Sequence, residues 1–234
     1  MEASTLVNTA ASSVLDLTSG LQKVIELTLY SHPIFQYYEN VNLNHSIANK
    51  KNALIEENIW PHLTGHTLVG PDKINLRSRG LYVIDEKFLT EFEDIDELEP
   101  DQHNHSYTFF HLGSKLSGHT LIIHGGLLAT ILDELTCRLA FQSFESKKGV
   151  TANLQLNYFK PCFVDSYVML KCTLLDKKGR KCRVKGQVFL VDLKADLEGK
   201  PVPEFVEDKA NLLTECICLV IEPKWVNELN NTRH

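Results

Sequence analysis

Apolar positions recur at helical spacing from Gly125 to about Phe144. Leu128, Ile131, Leu132, Leu135, Leu139 and Ala140 form one broad stripe, and Leu127 extends it. No proline interrupts the run, so it predicts one long helix. The pattern then changes to period two. From Val150 to Phe159, Ala152, Leu154, Leu156 and Tyr158 alternate with Thr151, Asn153, Gln155 and Asn157, and Pro161 ends the strand. Tyr167–Leu175 and Arg183–Val191 read as a hairpin around Asp176–Arg180, with Gly179 expected at positive φ. A polar segment with Gly199, Pro201 and Pro203 precedes a last strand, Leu212–Ile221. Upstream of the long helix the strand candidates are shorter: Thr67–Val69, Leu81–Phe88 and Ser106–Leu112. One long helix followed by an antiparallel meander predicts an α+β domain whose sheet buries a face against that helix.

The first 62 residues differ in texture. Leu21, Val24, Ile25, Thr28 and Leu29 follow helical spacing, and Ile47, Lys51 and Ile55 do so less cleanly. Two or three helices are expected there, packed on the main domain or reaching out from it. A membrane-surface helix would carry a basic polar face, which residues 20–30 lack. The chain thus divides into an N-terminal helical extension (1–62), a main domain (63–224) and a C-terminal tail (225–234).

Composition narrows the function. The 234 residues are 43% hydrophobic, and no apolar stretch is long enough to span a bilayer. The net charge of -6 argues against nucleic acid as a partner. Residues 91–101 hold seven acidic side chains, read as a solvated loop. Six cysteines show neither CxxC nor zinc-type spacing, so they are expected to be reduced core residues and no metal ligand set is assigned. His103, His105 and His111 lack a partner carboxylate pattern, which weighs against a metal site there. The N-terminus has no basic segment followed by an apolar one, and its first arginine is Arg77. An intracellular location, cytoplasmic or mitochondrial, is expected.

Candidate chemistry gathers at the start of the long helix. His124-Gly125-Gly126 follows the apolar run Leu121-Ile122-Ile123, so two glycines open a helix whose first N–H groups lack intrahelical acceptors. Glycine lets a ligand approach that backbone, which makes the position a candidate oxyanion site. Asp133 lies in the middle of the most apolar helix; its carboxylate either reaches solvent or is held for a purpose, and its neighbour Glu134 is read as a satisfied or solvent-facing carboxylate.

His-Gly-Gly, an Ala-Thr pair and an Asp nine residues after the His resemble the signature of PaaI-like, hotdog-fold acyl-CoA thioesterases. Val150–Pro161 and the Gly-Arg-Lys of the hairpin are similar to thioesterase superfamily members 4 and 5, and the likeness covers about residues 105–222. Thr120 stands where those proteins have proline. The resemblance implies a hotdog fold, an antiparallel sheet wrapped around one long central helix, and hydrolysis of a fatty-acyl or related CoA thioester without metal or cofactor. Coenzyme A would be part of the substrate. It assigns Asp133 as the carboxylate that activates water or attacks the thioester carbon. Gly125 becomes the N–H donor to the carbonyl, His124 the motif histidine and Thr151 the hydroxyl that orients water or carboxylate. Gly126, Asn157, Phe159, Lys160, Arg180, Lys181 and Lys185 fall at substrate-binding positions, with Phe159 where a relative has lysine. Six basic side chains within residues 177–185 suit the coenzyme A phosphates.

Gly125 and Asp133 are eight residues apart on one helix, about 12 Å along its axis. They cannot meet at one carbonyl within one chain. Two antiparallel helices from paired subunits would bring them together, so a homodimer, or a dimer of dimers, is expected. The alternatives are a non-catalytic acyl-CoA-binding hotdog protein and a hydratase-dehydratase, whose Asp/His arrangement is absent.

Overall fold

The computed structural model describes residues 20–43, 63–85, 104–197 and 199–225. Two helices, α1 (residues 20–30) and α2 (Pro33–Leu43), come first. A π-helical turn, Leu63–Thr67, leads into strands β1 (Ile74–Arg77) and β2 (Leu81–Val83). Then follow β3 (His105–Leu112), the small hairpin β4 (Ser117–His119) and β5 (Ile122–Ile123), and the long helix α3 (Gly125–Gln142). The chain closes with β6 (Val150–Tyr158), β7 (Ser166–Lys178), β8 (Lys181–Val191), the short helix α4 (Val202–Val206) and β9 (Leu212–Ile221).

Seven strands form one antiparallel sheet in the order β1-β3-β7-β8-β9-β6, with β2 also paired to β3. It wraps around α3, so the molecule is an α+β hotdog with N-terminal helices. Between β1 and β2, Ser78 Oγ accepts the Phe109 N–H at 2.9 Å, supplying a partner where the edge strand breaks.

Every residue of β3 is buried because both faces of the sheet are covered. On the inner face Phe110, Val168, Leu170, Val188, Cys216 and Cys218 pack with Leu128, Ile131, Leu132 and Leu135 of α3. Gly186 sets how close α3 can come: a Cβ there would lie 2.7 Å from Leu132 and 3.0 Å from Thr136. On the outer face Ile25 and Leu29 of α1 and Ile34, Phe35 and Tyr38 of α2 pack on Tyr107, Phe109, Met169 and Phe189. Burying each of these large apolar side chains stabilises the fold by about 1.5–3 kcal/mol. Tyr38 Oη donates to Glu207 at 3.1 Å, and Lys171 Nζ meets the other oxygen of that carboxylate at 2.6 Å. Burial and the Glu207 charge push the Tyr38 hydroxyl far above its usual range.

Several expectations need correction. Thr67–Val69 is not a strand: Thr67 ends the π-turn and Val69 makes a lone bridge to Ile74, the first residue of the strand that the sequence reading missed. Val69-Gly70-Pro71 is too short a run to distinguish a bridge from a ladder. In the strand expected over Leu81–Phe88, pairing covers Leu81–Val83, Ile84 and Asp85 lie outside it, and Glu86–Phe88 fall outside the described residues. The hairpin strands extend further than expected, leaving Gly179-Arg180 as the turn, with Gly179 at φ 53°. Asp176 is therefore no turn residue but a buried carboxylate paired with Arg183. Of the apolar stripe on α1, Ile25 and Leu29 are buried while Leu21, Val24 and Thr28 are exposed, because one edge of the helix rests on the sheet. Ile47, Lys51, Ile55 and the acidic run at 91–101 lie outside the described residues.

Candidate functional site

The helix start is shaped by His124. Its Nδ1 accepts the Gly126 N–H at 2.9 Å, and its carbonyl accepts the Leu127 N–H at 2.9 Å. A Cβ on Gly126 would lie 2.9 Å from the imidazole, so the ring cap requires glycine there. The ring thereby occupies the Gly126 donor. Gly125 N–H has no acceptor among the described residues and sits at the positive end of an 18-residue helix. Gly125 lines a cavity of about 470 Å³ together with Gly118, His119, Ile123, Leu128, Phe159 and Lys160, among others. Tyr158 Oη donates to the Gly125 carbonyl at 2.9 Å and holds the peptide in place. Sequence reasoning did not single out Tyr158; its signal was its place in the same alternating set as Leu154 and Leu156.

Two turns along α3, half-buried Asp133 accepts a 2.6 Å hydrogen bond from Thr151 Oγ1. A bulge makes this contact. Strict alternation would put Thr151 on the opposite face from Leu154 and Leu156. In β6, Thr151 pairs with Val220 and Asn153 with Leu219, so Ala152 is an extra residue. The bulge turns Thr151 onto the helix side. The alternation is correct from Leu154 to Tyr158 and fails at Ala152 and Thr151.

Thr151 Oγ1 also lies 3.1 Å from Cys137 Sγ, and Cys137 and Cys218 share a hydrogen bond. That bond, with burial, pushes the Cys137 thiol up, and the same bond holds the Cys218 thiol below its usual value against the opposing effect of burial. All six cysteines are buried and free of disulfides. The neighbouring Glu134 is satisfied rather than solvent-facing, one of the two states the sequence left open for it. Arg77 reaches it at 2.9 Å and Arg138 at 2.6 Å, which explains how a carboxylate is tolerated beside the core.

The other sequence-assigned residues are spread out. Phe159 and Lys160 line the cavity, and Lys160 Nζ also donates to the Ala210 carbonyl. Arg180 and Lys181 are exposed at the hairpin tip, level with Val150 at the far end of β6. Eight strand steps, about 26 Å, separate that level from Tyr158 at the cavity. Lys185 is the residue before Gly186, which faces α3, so its side chain lies on the opposite face, paired with Glu215 at 3.0 Å. Asn157 is paired across strands with Glu215 and shares that outer face. The structure thus gathers His124, Gly125, Phe159 and Lys160 at the cavity and Asp133 with Thr151 along the helix, keeps Gly126 under the His124 ring cap, and leaves Asn157 and Lys185 behind the sheet. His105 and His111 stand at opposite ends of β3, about 20 Å apart, so they form no joint metal site; burial lowers the His111 pKa.

The family model of the Thioesterase superfamily matches residues 122–194. A Candida albicans protein called "Uncharacterized protein, mitochondrial" is 35% identical over 137 residues, 56% of this chain and 56% of its own length. MIOREX complex component 3 of Saccharomyces cerevisiae is 31% identical over 143 residues, 56% of this chain and 53% of its own. The chain therefore spans about half the length of these curated relatives. Among solved structures, a Streptococcus mutans protein bound to acetyl CoA is 14% identical with a TM-score of 0.38, covering 50% of this chain and 79% of that one. No helix among the described residues is long and apolar enough to cross a membrane. The matched family segment runs from β5 past β8 and contains Gly125, Asp133 and Thr151 together.

Proposed function

We propose that this protein is an acyl-CoA thioesterase that splits a fatty-acyl or related CoA thioester into free acid and coenzyme A. One observation carries the reading: a helix that offers an uncommitted N–H over a cavity at its mouth and a hydroxyl-anchored carboxylate in its middle. The Thioesterase superfamily match over the same segment supports it. Asp133, held by Thr151, takes a proton from water as the water attacks the thioester carbon, or attacks that carbon itself to form an acyl-aspartyl anhydride that water then hydrolyses to the free acid. Gly125 N–H and the helix dipole stabilise the oxyanion. Collapse of the tetrahedral species expels the coenzyme A thiolate, which regains a proton. The Asp133 side chain supplies the base and the Gly125 backbone the donor, so this mechanism draws on no metal or cofactor.

The two groups meet only across a twofold axis, so the enzyme works as a homodimer. The free edge of β6 supports this. It is an exposed strand of nine residues, and Tyr158, Phe159 and Phe163 are each more than half exposed beside it. Antiparallel pairing of two β6 edges would set the Val150 end of one chain beside the cavity end of the other. The basic hairpin tip of the partner would then lie at the cavity, where Arg180 and Lys181 would receive coenzyme A phosphates. The sequence likeness favours kinship with thioesterase superfamily members 4 and 5, the Candida relative's name favours a mitochondrial setting, and a fatty-acyl substrate would place the reaction in fatty acid metabolism.

The test is free-thiol release from acyl-CoAs of rising chain length by wild type and Asp133→Asn. Wild type turns over and Asp133→Asn loses at least about a hundredfold in rate while still binding coenzyme A. Binding without thiol release by wild type would leave the non-catalytic acyl-CoA binder.

A further inference from the structure

Asp133 has two neighbours that the proposed hydrolysis does not use. Cys137 follows it by four residues on the same face of α3, and Cys218 comes from β9, outside the segment matched by the thioesterase family. One carboxylate oxygen and the two Sγ atoms all lie within 4.8 Å of one another. Thr151 Oγ1 stands among them, 2.6 Å from Asp133 and 3.1 Å from Cys137. We infer that Asp133, Cys137 and Cys218 form a binding site for a thiophilic d¹⁰ dication such as zinc or cadmium, and that an ion bound there switches off the carboxylate.

Two sulfurs and one oxygen, with the Thr151 hydroxyl or a water as fourth ligand, match the tetrahedral preference of these ions. Bonds of about 2.3 Å to sulfur and 2.1 Å to oxygen need the three donors drawn together by roughly 1 Å. Soft thiolates select such ions over magnesium or calcium, which take oxygen ligands. Asp133 is half-buried and Thr151 exposed, so the carboxylate side gives the ion entry while the sulfurs stay covered. Coordination displaces the thiol protons to solvent, about two per ion, and nothing is oxidised. The bound ion takes up the carboxylate that hydrolysis needs. The binding itself stands apart from the thioesterase reading; its inhibitory consequence rests on it.

The probe is cadmium alone, titrated into the reduced full-length protein without substrate, followed by the ultraviolet thiolate-to-cadmium charge-transfer band and by proton release in weak buffer. A saturable band at one ion per chain is expected in wild type. It should vanish in Cys218→Ala and in Cys218→Ser and persist in Cys172→Ala, whose buried thiol lies outside the cluster. A wild type without the band, a band that survives both Cys218 variants, or equal loss in Cys172→Ala would overturn the site. In thiol-release assays cadmium should lower wild-type turnover at least tenfold, reversibly with a chelator, and spare Cys218→Ala. A band that forms while turnover is unchanged overturns the inhibitory half. Because the band is read without substrate, that result is separate from any failure of the thioesterase reading.

Discussion

Both faces of the sheet are covered by helices, yet they are built for different ends. On the inner face α3 carries Asp133, Cys137, Glu134 and Arg138 in or beside an apolar stripe, and each polar group is held by a named partner. On the outer face α1 and α2 seal the sheet with aromatic packing: Phe35 stands edge-on to Phe109 at 5.3 Å, and Tyr38 lies against Tyr107 at 4.4 Å. Polar contact there centres on Glu207, shared by Tyr38 and Lys171. The same sheet thus carries partnered polar groups on one side and aromatic packing on the other. If the proposed chemistry holds, substitutions of those polar groups should change turnover with little loss of fold, and substitutions in the outer aromatic packing the reverse.

The largest test of that division is Phe35→Ala. It removes a side chain that is 3% exposed and should cost about 3–5 kcal/mol in urea unfolding while leaving the turnover of the remaining folded protein intact. A fall in kcat per folded molecule would show that the outer face feeds the site. Next is Thr151→Ala, which removes the 2.6 Å anchor of Asp133. It should lower kcat by roughly tenfold, about 1.4 kcal/mol of transition-state stabilisation, with a much smaller change in unfolding. Equal effects on kcat and stability would make Thr151 a structural residue.

Tyr38→Phe should have the smallest effect, about 1 kcal/mol of stability at neutral pH from the lost hydrogen bond to Glu207. Its pH dependence is diagnostic. The Tyr38 hydroxyl is raised by burial and by Glu207, so the folded chain keeps a proton that the unfolded chain releases near pH 10. Wild-type stability is therefore fully present below about pH 10 and declines above it. Tyr38→Phe should decline less steeply, narrowing the gap; Tyr107, raised in the same way, keeps some decline in both. Parallel curves across pH 10 would place the strain of ionisation elsewhere.

Much of the molecule was legible in the sequence where one element carried its own signal. The stripe on α3, the hairpin around Gly179 and the last strand needed no knowledge of their neighbours, because helix and strand periods are local geometry. The His-Gly-Gly run and the lone Asp133 stood out for the same reason. Position in the sheet was less legible: Lys185 reads as part of one basic cluster, yet pleating turns it away from α3 and into a pair with Glu215. Asp176 reads as a turn residue, yet the ladder continues past it to Lys178.

By itself the sequence determined the long helix α3, the strands from β6 to β9 and which carboxylate is out of place, since these follow from the spacing of apolar residues along one chain, whereas the short strand β1 before α3 did not declare itself. Only the tertiary structure decided that Ala152 bulges and turns Thr151 toward Asp133, that Cys218 arrives beside Cys137, and that α1 and α2 lie on the face opposite α3. The physical reason is register. A bulge is an extra residue counted against a partner strand, and a contact between a helix and a strand depends on their approach, so neither is written in the period of a single segment.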